Sequence, residues 1–341
     1  MRSTMALPLS ALDLVPFCNG GSSASALRSA SELARQLDGW GYERLWYAEH
    51  HNMPGIATSA PEILIAHVAP QTSRIRLGAG GVMLPNHAPL KVAETYRLLS
   101  ALHPARIDLG IGRAPGTDGL TAIALRRSRG GNGVDDFPTQ LAELRGFGER
   151  NLPANHPFAS IVAIPDDAPL PPIWLLGSTD YSARLAARLG LGFAFAGHFS
   201  PESPEWPMQL YRQEFQAGAL SAPHAILALG VFCADTDADA QRMASSLLLS
   251  FAQLRSGKPG RMPSPEQAAQ HHFTAEEAAA VSFFRRTQIV GTPNVVRERI
   301  EALALATAAD EIMLATHTYS AEARARSYQL VAQSFGKTGD L

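Results

Sequence analysis

The feature that most constrains the fold is a regular alternation of short apolar runs with longer segments of helical periodicity. Each run is about as long as a single strand and is bounded by glycine, proline or polar residues. Eight such runs are each followed by a helical pattern, at residues 9–15, 44–49, 75–81, 106–112, 172–177, 192–197, 225–234 and 311–317. Strands alternating with helices predict a parallel sheet covered by helices, and eight units favour closure into an α/β fold, the (β/α)₈ TIM barrel.

The alternation also predicts a single domain over residues 1–341, with two insertions. The stretch of about 113–171 is rich in Gly, Pro and Asp, and that of about 256–290 begins with "SGKPGRMPSP". Both follow predicted strands, so we expect them in loops at the C-terminal face, where barrels carry their chemistry. The second insertion has the composition of a lid.

Composition excludes several classes of partner. The formal net charge is −2, which gives no electrostatic reason to expect binding to nucleic acid or to an anionic membrane. Cys18 and Cys233 are far apart, which argues against a disulfide framework. The sequence has neither a signal-peptide pattern nor an apolar stretch of the roughly 20 residues that a membrane span needs. We therefore expect a cytoplasmic protein.

The second predicted strand ends in Glu49, His50 and His51, within "WYAEHHNMPGIATSAPE". Adjacent residues of an extended chain point to opposite faces, so the two histidines do not easily share one metal ion, and the His-Glu-x-x-His motif is absent. Metal ligation with other strand ends, a structural role, and a role for His50 as donor or proton carrier over a ligand remain as alternatives. We expect the third role for His50, packing or hydrogen bonding for His51, and no metal.

Gly78, Gly80 and Gly81 end the third predicted strand, which indicates a bulge or the close approach of a ligand. Neither this run nor "GIGRAPG" (110–116) is a dinucleotide fingerprint, because both lack the third glycine of that motif. Bare backbone at a strand end suits a flat aromatic ligand.

An anion site is predicted from two separate strand ends. Arg113 follows the fourth strand directly, and "WLLGSTDYSARLAARLG" (174–190) runs from a strand through Ser178 and Thr179 into a helix. An arginine and the free amides of a helix N-terminus can together hold a phosphate. The alternatives are a surface ion pair for Arg113 and simple helix capping by Ser178, Thr179 or Asp180.

Taken together, these stretches resemble the bacterial luciferase-like family of flavin-dependent oxidoreductases, which are (β/α)₈ barrels. The resemblance covers nearly the whole chain and is closest to the single-chain luciferase-like monooxygenases. It is carried by "LWYAEHHNMPGIATSAPE", "TSRIRLGAGGVMLPNHAPLKVAE", "LHPARIDLGIGRAPGTD", "PIWLLGSTDYSARLAARLGLGFAFAGHF", "VGTPNVVRERI" and "ADEIMLATH".

The resemblance implies a set of site residues. His50 would lie beside the flavin and act as the catalytic residue, Ala79 and Gly80 would form a bulge under the flavin ring, often with a non-prolyl cis peptide, and Asn86 would contact the polar edge of the ring. The implied phosphate clamp consists of Arg113, Gly177, Ser178, Thr179 and Tyr181.

The resemblance also implies a function: a monooxygenase that uses O₂ and reduced FMN, supplied by a separate flavin reductase, on an unidentified organic substrate. His50 would assist the oxygen reaction by general acid chemistry. Two alternatives stay open, a hydride-transfer oxidoreductase that uses F420 or FMN, and a flavin-binding protein without turnover. Gly112 stands where luciferases carry a reactive cysteine, so light emission is not expected. The helices after strands 2 and 3 suggest a homodimer.

Overall fold

The apolar runs of the sequence form parallel strands that close on themselves. The computed structural model describes residues 7–126 and 136–337. The strands of this part are β1 (Leu9–Asp13), β2 (Arg44–Tyr47), β3 (Arg76–Met83), β4 (Ile107–Gly112), β5 (Ile173–Gly177), β6 (Gly192–Ala196), β7 (Ala225–Cys233), β8 (Gln288–Gly291) and β9 (Glu311–Ala315). They are hydrogen-bonded in the order β6-β5-β4-β3-β2-β1-β9-β7-β8, and β6 also pairs with β7. The predicted (β/α)₈ barrel is confirmed.

Helices surround this barrel. In the described residues they are α1 (Ser23–Gly39), α2 (Pro61–Val68), α3 (Pro89–Leu102), α4 (Gly119–Arg126), α5 (Phe137–Glu149), α6 (Asp180–Leu189), α7 (Glu205–Gln213), α8 (Asp237–Arg255), α9 (Pro265–Gln270), α10 (Ala275–Arg286), α11 (Pro293–Thr307) and α12 (Ala321–Ser334). Several begin as their sequence predicts: Ser22 forms a capping box at α1, and proline stands in the first turn of α2, α3 and α11. None of these helices is long and apolar enough to cross a membrane.

Two features differ from the sequence prediction. The short strand β8 was not predicted, because nearly all of its residues fall in the second predicted insertion; it pairs with Gly230–Cys233 of β7, whereas β9 pairs with Ile226–Gly230. The first predicted insertion contains the helices α4 and α5, which its Gly- and Pro-rich composition did not indicate. Residues 127–135 of that insertion lie outside the described part of the chain.

The inside of the barrel has its own apolar core, separate from the larger core between the strands and the helices. Side chains of a strand alternate between the two, and residues paired on neighbouring strands, such as Leu12 and Trp46, point to the same side. The inner core consists of Leu12, Trp46, Ala48, Trp174, Ala194, Ile226, Ala228, Met313 and Ala315.

A buried ionic network closes the N-terminal end of the barrel. The Arg44 guanidinium donates to Asp108 Oδ2 at 2.9 Å and to both oxygens of Glu311 at 2.9 and 3.0 Å. Arg76 donates to the second oxygen of Asp108, and the Ser10 hydroxyl donates to Glu311. Burial would raise the pKa of Glu311, but its hydrogen bonds to neighbouring His224, Arg44 and Ser10, with the Arg44 charge, hold this pKa below its ordinary value. With this end filled, only the C-terminal end is left for a site.

Candidate functional site

A buried carboxylate joins the loops that follow β2 and β3. Glu49 is 1% exposed, and its Oε1 accepts hydrogen bonds from Nε2 of His51 and Nε2 of His87, each at 2.8 Å. Its Oε2 accepts the backbone N–H of Met83 at 3.0 Å. Burial would raise the pKa of Glu49, but the hydrogen bonds from His87, His51 and Met83 outweigh it and lower that pKa. Burial likewise opposes the charge of His87, yet the bond to Glu49 raises the pKa of this histidine. The predicted hydrogen bonding of His51 is confirmed.

His50 points its ring into the mouth of the barrel in one defined orientation. Its Nδ1 lies 3.1 Å from the carbonyl oxygen of Gly116, and because a carbonyl only accepts, Nδ1 carries the proton and donates. The Nε2 atom of a neutral ring then keeps its lone pair. Burial lowers the pKa of His50, and this outweighs the opposite effect of the Gly116 carbonyl. The ring is therefore neutral near pH 7 and presents an acceptor.

The β3 bulge lies where the sequence indicated it. The pairing with β4 shifts between Ala79 and Val82, and the peptide bond between Gly80 and Gly81 is cis, one residue after the Ala79–Gly80 pair named from the resemblance. The glycines have a reason that the sequence did not reveal. A Cβ at Gly80 would lie 2.7 Å from Leu12 Cδ1, and a Cβ at Gly81 would lie 2.8 Å from the backbone oxygen of Gly110. Barrel packing alone therefore requires both glycines.

The two halves of the predicted anion site come together. The Arg113 guanidinium carbon lies 4.2 Å from the centre of the Tyr181 ring, and Tyr181 is in the first turn of α6. This is cation–π distance and fixes the arginine at the N-terminus of that helix. Within residues 7–126 and 136–337, Arg113 forms no ion pair with a carboxylate. Its guanidinium edge is thus available to an anion.

The start of α6 also keeps its amides free. Thr179 occupies the N-cap position, but its side chain makes no capping hydrogen bond. The carboxylate of Asp180 is exposed and lies 3.6 Å from Arg184 Nε, one turn further along the helix. Gly177 allows the tight turn, because a Cβ there would collide with the side chain of Ser182. Ser178 adjoins this turn, and its carbonyl accepts from the Ser200 hydroxyl at 3.3 Å. The simple-capping alternative fails for Thr179 and Asp180.

Asn86, expected to contact the polar edge of a flavin ring, is hydrogen-bonded to neighbouring loops. Its Nδ2 donates to the carbonyl oxygen of Pro115 at 2.9 Å, and its Oδ1 accepts from Arg126 Nε at 3.2 Å. Both polar ends of the amide are therefore bound to protein, and the side chain connects the loop after β3 to the loop after β4.

Two further histidines, His198 and His317, reach the same mouth after β6 and β9 and were missed in the sequence. Burial lowers the pKa of both rings, to about 4 for His198 and about 3 for His317, and the charge of His50 contributes to both shifts. A repeated pattern could have revealed them, because "AEH", "AGH" and "ATH" all follow strands of the barrel. In the described parts of the chain, no group of three or more His, Cys, Asp or Glu side chains is arranged to hold a metal ion.

The predicted lid segment is attached to the mouth. Met262 accepts a backbone hydrogen bond from Asn19 and donates one to Phe17, both at 2.9 Å, and the Arg261 guanidinium lies 4.0 Å from the centre of the Phe17 ring. Gly55 packs against the same segment, since a Cβ there would lie 2.8 Å from the Gly260 oxygen. The loops after β1, β2 and β7 therefore form one continuous rim.

A barrel closed at one end, with an arginine and helix amides of the type that hold anions at the other, has the architecture of a TIM-barrel enzyme. A family model described as luciferase-like monooxygenase matches residues 13–310. The chain belongs to this family and is a flavin-dependent oxygenase.

Individual relatives agree over almost their full length. The chain is 40% identical over 325 residues to a luciferase-like monooxygenase of Escherichia coli strain K12, covering 95% of this chain and 96% of the relative. It is 35% identical over 330 residues to the N-acetyl-S-alkylcysteine monooxygenase of Bacillus subtilis, covering 96% and 97%. The solved structure of apo-MsnO8 is similar with a TM-score of 0.86 and 36% identity, covering 98% and 99%.

More distant structures share the fold alone. One is the oxygenating constituent of 3,6-diketocamphane monooxygenase in complex with FMN, with 19% identity, a TM-score of 0.71 and coverage of 96% and 97%. Another is an F420-dependent secondary alcohol dehydrogenase, with 13% identity, a TM-score of 0.70 and coverage of 97% and 99%.

Proposed function

We propose that this protein is a monooxygenase that uses O₂ and reduced FMN, delivered by a separate reductase, to oxygenate a small organic substrate. The observation that carries the proposal is the position of Arg113 against Tyr181 at the uncapped start of α6. A flavin phosphate fits this place, because it accepts from the guanidinium and from the helix amides together. Bound FMN would supply the oxygen chemistry.

The ring of the flavin is assigned to the space beside the β3 bulge and His50. The backbone of β3 is held rigidly here, because the residues around the bulge, including Ala79, are buried. His50 supports the proposal as a hydrogen-bond acceptor rather than as the general acid expected from the resemblance, because its Nδ1 proton is engaged by Gly116. An acceptor there binds an N–H or O–H group of the reacting partner. Asn86 is assigned to holding the loops rather than to contacting the ring.

Relatives favour oxygenation over the two alternatives. The two curated relatives described above carry the word monooxygenase in their names, at 40% and 35% identity. F420 dependence appears in a structure only 13% identical. The Bacillus subtilis relative acts on N-acetyl-S-alkylcysteines by name. Thioethers of this type are therefore the first substrates to test.

The test is a comparison of ligands on the wild type and one variant. Arg113→Ala is expected to weaken FMN binding about 10- to 100-fold, since a charge-assisted bond to phosphate contributes about 1.5–3 kcal/mol. Riboflavin has no phosphate, so its affinity is expected to stay within about twofold. Arg188→Ala is the matched control, because it removes an exposed arginine from the C-terminal end of α6, away from Arg113.

Binding measurements under nitrogen and oxygen uptake then separate the alternatives. Reduced FMN is expected to bind and to consume O₂ with transfer of oxygen to a substrate. Tight binding of F420 without binding of FMN would contradict the proposal, and so would flavin binding that never leads to turnover across a panel of thioethers, ketones and other small organic molecules.

The proposal includes a homodimer formed through α2 and α3. Ile63 on α2 is 66% exposed, and Leu98 and Leu102 on α3 are 53% and 59% exposed. Large apolar side chains that cluster on neighbouring helices are the usual material of a subunit interface.

A further inference from the structure

Three histidines follow the C-terminal ends of the barrel strands β2, β6 and β9. Each comes two residues after an alanine at or near the end of a strand, and alternate residues of a strand share one face. Ala48 and Ala315 belong to the inner core. The pairs are Ala48 with His50, Ala196 with His198, and Ala315 with His317. At the ends of β2 and β9 the inner core therefore finishes in an alanine, and an imidazole follows on the same face.

His198 and His317 differ from the other histidines of the mouth in having no protein partner. His51 and His87 both donate to Glu49, and His50 donates to Gly116. The Nδ1 atoms of His198 and His317 are buried, and neither has a hydrogen-bond partner among the described residues. Both side chains are only partly accessible to solvent although they lie deep in the protein. Each ring therefore combines a buried Nδ1 atom without a partner with a remainder that solvent or a ligand can reach.

The unpartnered atoms indicate which nitrogen carries the proton. A buried acceptor without a partner is tolerated more often than a buried N–H without one. Each Nδ1 atom therefore carries a lone pair and no proton, and each neutral ring carries its proton on Nε2. His198 and His317 then offer N–H donors, whereas His50 offers an acceptor.

Charge decides what such donors can bind. Burial and the charge of His50 lower the pKa of His198 to about 4, and burial with the charges of Arg324, His50 and His198 lowers that of His317 to about 3. Arg324 does not supply a free positive charge, because it is paired with Asp13 at 2.7 Å. Neutral donors without a counter-charge do not offset the desolvation of an anion.

We propose that His198 and His317 bind the substrate rather than the flavin, through imidazole N–H groups that donate to an uncharged acceptor such as a carbonyl, ether or sulfoxide oxygen. This assignment rests on the proposed function, because it takes the space in front of His50 to be the chamber in which the substrate is oxygenated. The substrate class that follows is a small molecule whose reacting end carries no charge.

The test uses two probes of nearly equal shape, acetophenone and benzoate, which differ in charge. The full-length protein is labelled with ¹⁵N-histidine, and each probe is titrated at pH 7 with and without FMN. Acetophenone is expected to shift the ring signals of His198 and His317 in a saturable way, and benzoate is expected to bind at least about fivefold more weakly. This measurement needs no variant except for assigning the signals.

Variants then locate the contact. His198→Gln and His317→Gln are each expected to weaken acetophenone binding at least about fivefold while leaving the affinity for FMN within about twofold. His272→Gln, at an exposed histidine, is the matched control and is expected to change neither affinity.

Three outcomes overturn the assignment: acetophenone moves neither ring signal, benzoate binds as tightly as acetophenone, or the two variants weaken FMN as much as acetophenone. The probe titrations without FMN do not depend on flavin chemistry. A failure of the monooxygenase proposal is seen instead in the flavin binding and oxygen uptake.

Discussion

Glu49→Gln tests whether the buried carboxylate stabilises the mouth through its charge. Glutamine keeps the shape of the side chain but replaces one acceptor oxygen with an NH₂ group. Two hydrogen bonds from His51 and His87 lose their charge assistance, at about 1 kcal/mol each, and depending on the amide orientation either the Met83 N–H or both histidines then face a donor, which costs about 1–3 kcal/mol. We expect the free energy of unfolding to fall by about 3–5 kcal/mol at pH 6.

The difference in free energy of unfolding between the wild type and Glu49→Gln should depend on pH. The pKa of Glu49 is lowered from 4.5, so its contribution is present above pH 4.5 and is lost as the pH falls through its folded pKa. The pKa of His87 is raised from 6.5, so its contribution is present below pH 6.5 and is lost as the pH rises through its folded pKa. The stability difference is therefore expected to be largest between about pH 5 and 6.5 and smaller on both sides.

The assay is urea-induced unfolding of both proteins from pH 3 to pH 9. Glu32→Gln serves as the control, because its ion pair with Arg35 is half exposed and is worth less than about 0.5 kcal/mol. A difference for Glu49→Gln that is constant across this range, or that is no larger than the control, would refute the role of the carboxylate charge.

Three further predictions concern the barrel and its surface. Asp108→Asn, in the ionic network at the N-terminal end of the barrel, is expected to lower the free energy of unfolding by about 3 kcal/mol or more, because buried Arg44 and partly buried Arg76 each lose a carboxylate partner. Urea unfolding measures this change. Gly80→Ala is expected to cost about 1–3 kcal/mol, since the new Cβ would lie 2.7 Å from a leucine methyl group inside the barrel. Gly112→Ala should cost less in the same assay, because its contact at 2.8 Å is the sulfur of a flexible methionine. If the protein is the proposed dimer, Leu98→Asp is expected to convert it into a monomer in light scattering, whereas Leu305→Asp, at an 84% exposed leucine on α11, should not.

The barrel could be predicted because its strands are continuous apolar runs, each buried on both faces. β8 escaped prediction because it is only four residues long and directly follows α10, so no separate pattern marks it. Its position depends on an edge of β7 that β9 leaves free, which is a property of the assembled sheet.

Parts of the candidate site could be predicted because their sequence signals are local. Arg113 and the start of α6 stand out locally, one as a charge after a strand and the other as a Gly-Ser-Thr-Asp turn before a helix. The role of Glu49 was not visible, because its partner His87 lies 38 residues away and the contact exists only after the loops fold together. The glycines of β3 were attributed to a ligand, although neighbouring strands already require them.

The ionic network at the N-terminal end leaves the barrel open only at its C-terminal end. Cofactor, oxygen, substrate and product would therefore all pass through the C-terminal opening, and a molecule bound deeper would be released only after one bound nearer the opening. A flavin bound against α6 and the β3 bulge would occupy one side of that opening. The remaining arc, from the end of β6 through β7 to β9, would then be the route for everything smaller, and side chains along it would set both what is admitted and how quickly the product departs.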